Sequence, residues 1–109
     1  MPFYRGNPAG GRFVGTVLDD RGQLHGLDPR LDIRNHSPSG FAWGYSGSGP
    51  AQLALAILCD ALGDDERAEL LYQHFKDAVI ARLDRDRHWI LARRSVLDIV
   101  SRLENDVAS

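Results

Sequence analysis

Residues 35–49 concentrate the side chains with chemical reach: Asn35, His36, Ser37 and Ser39, then Phe41, Trp43 and Tyr45, then Ser46 and Ser48, set among Gly40, Gly44, Gly47 and Gly49. A histidine close to several serines raises the question of nucleophilic hydrolysis, in which an imidazole takes the hydroxyl proton and an acid orients the ring. The pattern argues against it. Gly44-Tyr45-Ser46-Gly47-Ser48 ends in serine where a nucleophile elbow ends in glycine, and no strong strand leads into it. The plainer expectation is that Asn35, Ser37 and Ser39 bond backbone groups within the loop, with His36 a buried, satisfied polar anchor.

Two other chemistries compete for the same segment. Gly44, Gly47 and Gly49 stand directly before an apolar run, and free amides at a helix start attract anions, so a small nucleotide-like ligand could dock on residues 46–49. The run lacks the lysine of a phosphate-binding loop, however, and Pro50 deletes one amide. Alternatively the glycines let Phe41, Trp43 and Tyr45 pack over the start of the helix. The same aromatics belong to residue types enriched at interface hot spots and could meet a protein partner. On either binding reading the site comprises Asn35, His36, Ser37, Phe41, Trp43, Gly44, Tyr45, Ser46, Gly47, Ser48 and Gly49, with no catalytic residue among them.

His25, His36, His74 and His88 fall in no metal-ligand spacing, so neither a metal nor any other cofactor is expected. Arg82, Arg85, Arg87, Arg93 and Arg94 surround Trp89, which suggests phosphate contacts beside a stacking ring. Asp84 and Asp86 interrupt that run and favour a solvated, internally neutralised face. A net charge of -2 and a pI near 6.0 point the same way, against nucleic acid.

These residues must be positioned by one small core, since 109 residues bury enough surface for a single α+β domain and no second one. The single cysteine, Cys59, lies in an apolar run and excludes a disulfide framework, which suits a reducing cytoplasm. The sequence starts with no signal-peptide pattern, and no apolar stretch reaches the length of a membrane span.

Residues 3–34 read mainly as strands. The run Arg12 to Leu18 is β-branched and aromatic, Asp19-Asp20-Arg21-Gly22 is a turn tetrad, and the chain returns through Gln23-Leu24-His25. Leu31-Asp32-Ile33-Arg34 alternates as a further strand would. A central buried helix is predicted over 50–62, with Pro50 at its first position behind a Ser48 or Gly49 cap and Gly63 as its left-handed stop. A second helix over 64–83 starts at Asp64 or Asp65 and buries Ala68, Leu71, Tyr72, Phe75 and Val79. A short strand follows over 88–91. A last helix over 95–107 opens with a capping-box pattern at Ser95 and Asp98 and buries Val96, Ile99, Val100, Leu103 and Val107. Three to four short antiparallel strands against about three helices make the class α+β.

The loop from Asn35 to Pro50 followed by Ala51-Gln52-Leu53-Ala54-Leu55-Ala56-Ile57-Leu58 resembles a small family of bacterial proteins of unknown function found in bacterial, plasmid, phage and integrative-element genomes. The resemblance is strong from residue 35 to about residue 62. It continues through Gly63-Asp64, Leu71-Tyr72-Gln73, Phe75-Lys76 and Trp89-Ile90-Leu91, and includes the early Tyr4-Arg5-Gly6. It implies a mobile-element neighbourhood and brings no activity with it. The resulting expectation is a non-enzymatic interaction module, a mobile-element or phage accessory protein that modulates a host complex through its aromatic loop. The alternative is a small-ligand or anion-binding domain that uses the glycine-rich loop. A homodimer would cover apolar surface on so small a domain.

Overall fold

The computed structural model describes residues 2–8, 14–38 and 40–108. Four strands, β1 (Phe3–Asn7), β2 (Val14–Leu18), β3 (Leu24–Gly26) and β4 (Trp89–Ala92), form one antiparallel sheet in the order β3-β2-β1-β4. Three helices, α1 (Ser48–Leu62), α2 (Asp65–Ala78) and α3 (Arg93–Ala108), pack with it, so the fold is α+β. The expected strand start at Arg12 and Phe13, the hydroxyl of Ser39 and the side chain of Val107 lie outside the described residues.

Local chemistry accounts for the β2–β3 turn. Asp19 Oδ1 accepts from the Arg21 and Gln23 amides at 2.9 Å each, which closes the chain back on itself. The register then sets Tyr4 opposite Val17 on β2 and opposite Leu91 on β4. Period-2 alternation turns Tyr4, Val17 and Trp89 into the core and leaves Arg5 and Ile90 exposed.

Leu31 to Ile33 form a turn and not the expected strand. Arg30 takes a positive φ of 56°, and its carbonyl accepts from both Ile33 and Arg34. Its guanidinium reaches Asp32 and Asp65, so ion pairing folds the segment back where the apolar–charged alternation suggested extension.

α1 begins at Ser48, two residues before the expected start, with Gly47 as its cap. Pro50 therefore occupies the third helical position, where an N–H would still lack an intrahelical acceptor; Ala51 donates the first helical bond to the Gly47 carbonyl at 3.0 Å. Gly63 ends the helix at φ 62° with its N–H on the Cys59 carbonyl, and Asp64 caps α2 by accepting from the Arg67 amide at 3.2 Å.

α2 stops at Ala78 and not at residue 83, tightening into a 3-10 turn over Ile80–Arg82. The Ile80 side chain is fully buried, and its carbonyl is taken by the Gly44 and Leu83 amides, which replaces the continuing α-helical bond. β4 then runs directly into α3 at Arg93, so Ser95 already lies inside the helix and is not its cap. The Arg93 amide is held instead by the Pro2 carbonyl at 3.0 Å.

The core centres on α1, buried from Gly49 through Cys59. Leu53, Leu55, Ile57 and Leu58 are fully enclosed by Tyr4, Trp43, Phe75, Ile80, Val96, Val100 and their neighbours. Each such aliphatic side chain contributes about 1.5–3 kcal/mol by leaving water. No helix among the described residues is long and apolar enough to cross a membrane.

Candidate functional site

The apolar surface of α1 carries one fully buried polar side chain among the described residues, Gln52, at 0% exposure. Its Oε1 accepts from the backbone amides of His36 at 2.8 Å and Ser37 at 3.1 Å. Its Nε2 donates to the carbonyls of Arg34 at 2.9 Å and Pro29. Two donated and two accepted bonds satisfy the carboxamide and fasten residues 29–37 to the central helix, although that stretch has no sheet ladder of its own.

The anchored backbone directs the His36 ring toward α2. Its Nε2 lies 2.7 Å from the Tyr72 hydroxyl, with the ring centroids 5.6 Å apart. Tyr72 is buried on the inner side of α2. Over this pair opens a cleft of about 570 Å³ lined by Arg34, His36, Glu66, Glu69, Leu70, Tyr72 and Gln73. Glu66, Glu69, Leu70 and Gln73 follow the i, i+3, i+4, i+7 spacing and so form one stripe of α2. Arg34 pairs with Glu69 across the cleft. Leu70 stands at the rim 74% exposed, and Glu66 makes no ion pair among the described residues. The cleft can therefore offer an apolar lip, an imidazole–phenol floor and one unneutralised carboxylate.

The remaining expected site residues separate into a packing group and a surface group. Trp43 is fully buried; its Nε1 donates to the Asp84 carbonyl at 3.1 Å and its ring meets Trp89 edge-on at 5.5 Å. Phe41 is half-buried against the core. Tyr45 is 39% exposed under the Arg85 guanidinium, which sits 4.8 Å from its ring centroid. Ser46 Oγ is 3.4 Å from Asp77 Oδ1, while Asn35 and Ser48 are exposed.

The glycines accommodate close neighbours. Gly44 adopts φ 84°, and a Cβ there would overlap Arg85 Cγ and come 2.8 Å from the Leu83 carbonyl oxygen. A Cβ on Gly47 would stand 2.6 Å from the Tyr45 ring, and one on Gly49 2.7 Å from Ala42 Cβ. Of the groups at the head of α1, Pro50 brings no N–H and Gly49 is enclosed. Ser37 Oγ donates to the Gly40 carbonyl at 2.6 Å, so His36 meets a tyrosine and not this serine.

Two polar clusters flank the helices without a sequence motif to announce them. Tyr4, fully buried, donates to Asp60 at 2.7 Å, and Asp60 also receives Arg93 at 3.0 Å. Burial and the neighbouring carboxylate push the Tyr4 hydroxyl above its ordinary range, against the opposing pull of Arg93. Arg30 bonds to Asp32 and Asp65 and holds both carboxyls below the ordinary range. Burial raises the Cys59 thiol to about 11.

Of the arginines around Trp89, Arg87 pairs with Asp84 at 3.5 Å and Arg93 with Asp60, so part of that run is neutralised internally. Among the described residues no group of three or more histidine, cysteine, aspartate or glutamate side chains could hold a metal ion. The cleft depends on contacts distant in sequence; its one advance signal is Gln52, which with Asp60 interrupts the apolar run from Ala51 to Leu62.

Neither the curated proteins nor the solved structures compared with the chain gave a match. The model of DUF6166, a family of unknown function, matches residues 4–102, from the buried Tyr4 of β1 into the last turns of α3, and the chain belongs to that family.

Proposed function

We propose that the protein is a non-enzymatic interaction module that receives a protein partner in the cleft between residues 34–36 and α2. The observation that carries this reading is Leu70, a large apolar side chain 74% exposed at the rim of a cleft whose His36–Tyr72 floor is fixed from behind by Gln52. An exposed apolar side chain beside a preorganised polar floor gives a partner surface to bury at little ordering cost. Tyr45 with Arg85 offers a second exposed surface, whereas Trp43 supports the loop from within. The resemblance of residues 35–62 supports a bacterial phage or mobile-element accessory protein that modulates a host complex. The lone, buried cysteine supports a cytoplasmic setting.

The rival reading places a small anion on the amides of residues 46–49. Support for it reduces to the exposed first turn at Ser48, with Pro50 lacking an N–H and Gly49 enclosed. A melting-temperature rise with phosphate or a nucleotide, absent with chloride at equal ionic strength, would restore it.

Capture of partners from the native host with tagged protein tests the cleft. Leu70→Glu and Glu66→Lys change exposed side chains, so both variants should melt like the native protein and lose at least about tenfold of a captured partner, as removal of a hot spot does. Tyr45→Ala reports on the second surface. Undiminished capture by both cleft variants would refute the assignment. Trp43→Ala is unsuitable as a reporter because truncating a fully buried tryptophan removes about 3–5 kcal/mol of stability.

A further inference from the structure

Most ionisable side chains of α2 find a partner within the chain. Asp65 pairs with Arg30, Arg67 with Glu104, Glu69 with Arg34 and Lys76 with Asp77, while the Tyr72 hydroxyl meets His36. Glu66 and His74 are exposed and make neither an ion pair nor a hydrogen bond among the described residues. Between them stands Leu70, at 74% the most exposed large apolar side chain of the described residues.

All three belong to one continuous helix, since α2 runs from Asp65 to Ala78. Glu66 and His74 each lie four residues from Leu70, and at 1.5 Å per residue they stand about 6 Å to either side of it along the axis. Residues four apart form a ridge on a helix surface, and helices pack by laying such ridges side by side. A ridge with an acid at one end, an apolar centre and an imidazole at the other is its own complement when turned through half a circle.

We propose that a second copy of the chain covers this ridge, with the two α2 helices antiparallel about a two-fold axis at Leu70. The proposal rests on the reading of the cleft as a protein-receiving surface and names its occupant in the free protein. The axis sets Glu66 of each copy beside His74 of the other, so an imidazole N–H meets a carboxylate twice. Leu70 meets its own counterpart at the centre, leaves water, and lies at the mouth of the other copy's cleft above His36 and Tyr72. On the neighbouring row, three residues either side of Leu70, the axis sets Arg67 beside Gln73, so no like charges meet there. An unrelated peptide would have to bring a base, an apolar group and an acid in that order and spacing, whereas a second copy brings them by symmetry.

Sedimentation equilibrium of the purified chain from low to high micromolar protein tests the proposal. The native chain should approach twice its monomer mass as concentration rises. Leu70→Glu should weaken the dimer at least about tenfold by removing the apolar burial at the axis. Glu66→Lys and His74→Glu should each weaken it about fivefold, because each disrupts two surface pairs, and the double variant, in which acid and base exchange ends, should recover most of that loss. Leu24→Lys on β3, an exposed apolar position away from α2, should leave the mass unchanged. Every substituted side chain is exposed, so circular dichroism should stay native. A monomer at every concentration overturns the proposal, as does a dimer indifferent to Leu70→Glu or a double variant no better than its parents. If the purified chain stays monomeric while partner capture still falls with Leu70→Glu, self-association alone is refuted; if capture is undiminished as well, the cleft reading falls with it.

Discussion

Replacing Gln52 by leucine removes four hydrogen bonds and leaves the His36 and Ser37 amides and the Arg34 and Pro29 carbonyls without their acceptor and donors. At about 0.5–1.5 kcal/mol net for each bond, the loss is about 2–6 kcal/mol. That is a large share of the roughly 5–15 kcal/mol that holds a small domain together. Urea unfolding should show the midpoint falling by about 1–3 M with little change in slope. Hydrogen exchange should accelerate most at His36 and Ser37, because those amides lose their fixed acceptor.

Gln52→Glu refines the test. The introduced carboxyl can still accept from the two amides, but when ionised it confronts two carbonyls that formerly received an N–H. Burial raises its folded pKa above the free value of about 4.3, so its protonated form is favoured in the fold. The deficit relative to the native protein should be smallest below about pH 4 and grow as pH rises through the raised value. A loss under about 1 kcal/mol for Gln52→Leu, with exchange at His36 and Ser37 unchanged, would refute the anchoring argument.

Gly44→Ala should lower stability by about 2–4 kcal/mol in thermal or urea melts, through backbone strain and overlap with Arg85, whereas Gly63→Ala, with open space around its added methyl, should lose only about 1 kcal/mol. Folded Cys59, 5% exposed with its thiol raised to about 11, should react with iodoacetamide at pH 8 roughly 100-fold more slowly than a free thiol, and normally once urea unfolds the chain. Asp32 and Asp65 are held below the ordinary carboxylate range by Arg30, so their contribution is present above about pH 4 and is lost as pH falls through the depressed values. Arg30→Gln should flatten that part of the acid unfolding profile, and an identical profile would remove Arg30 as the cause.

The fold class was legible because strand and helix signals are local: Asp19 and Gly22 mark the turn, Gly63 the helix stop, and Asp64 the next cap. The alternation at Leu31 to Arg34 misleads for a physical reason. Apolar residues facing inward and charges facing outward serve a turn as well as a strand, and the partners that decide the matter, Asp65 and Glu69, lie far along the chain. Residues 35–49 were recognisable as the distinctive segment, yet its aromatics could not be divided by type alone. Trp43 is enclosed by Ile80 and Trp89 while Tyr45 stays at the surface under Arg85. His36 with Tyr72, and Tyr4 with Asp60, are pairings that only the folded chain brings together.

The position of β1 between β2 and β4 has a consequence for synthesis. As the chain leaves the ribosome, β1, β2 and β3 can form a meander through neighbouring contacts, but the other side of β1 stays open until residues 89–92 arrive. Closing so wide a loop carries an entropic penalty and slows the final docking step. During that interval Tyr4 lacks both Leu91 beside it and Arg93 to complete its bond network with Asp60. The last fifth of the chain therefore acts as the fastener of the first strand, and a nascent chain stalled before Trp89 presents that strand as an adhesive edge to whatever strand is nearest.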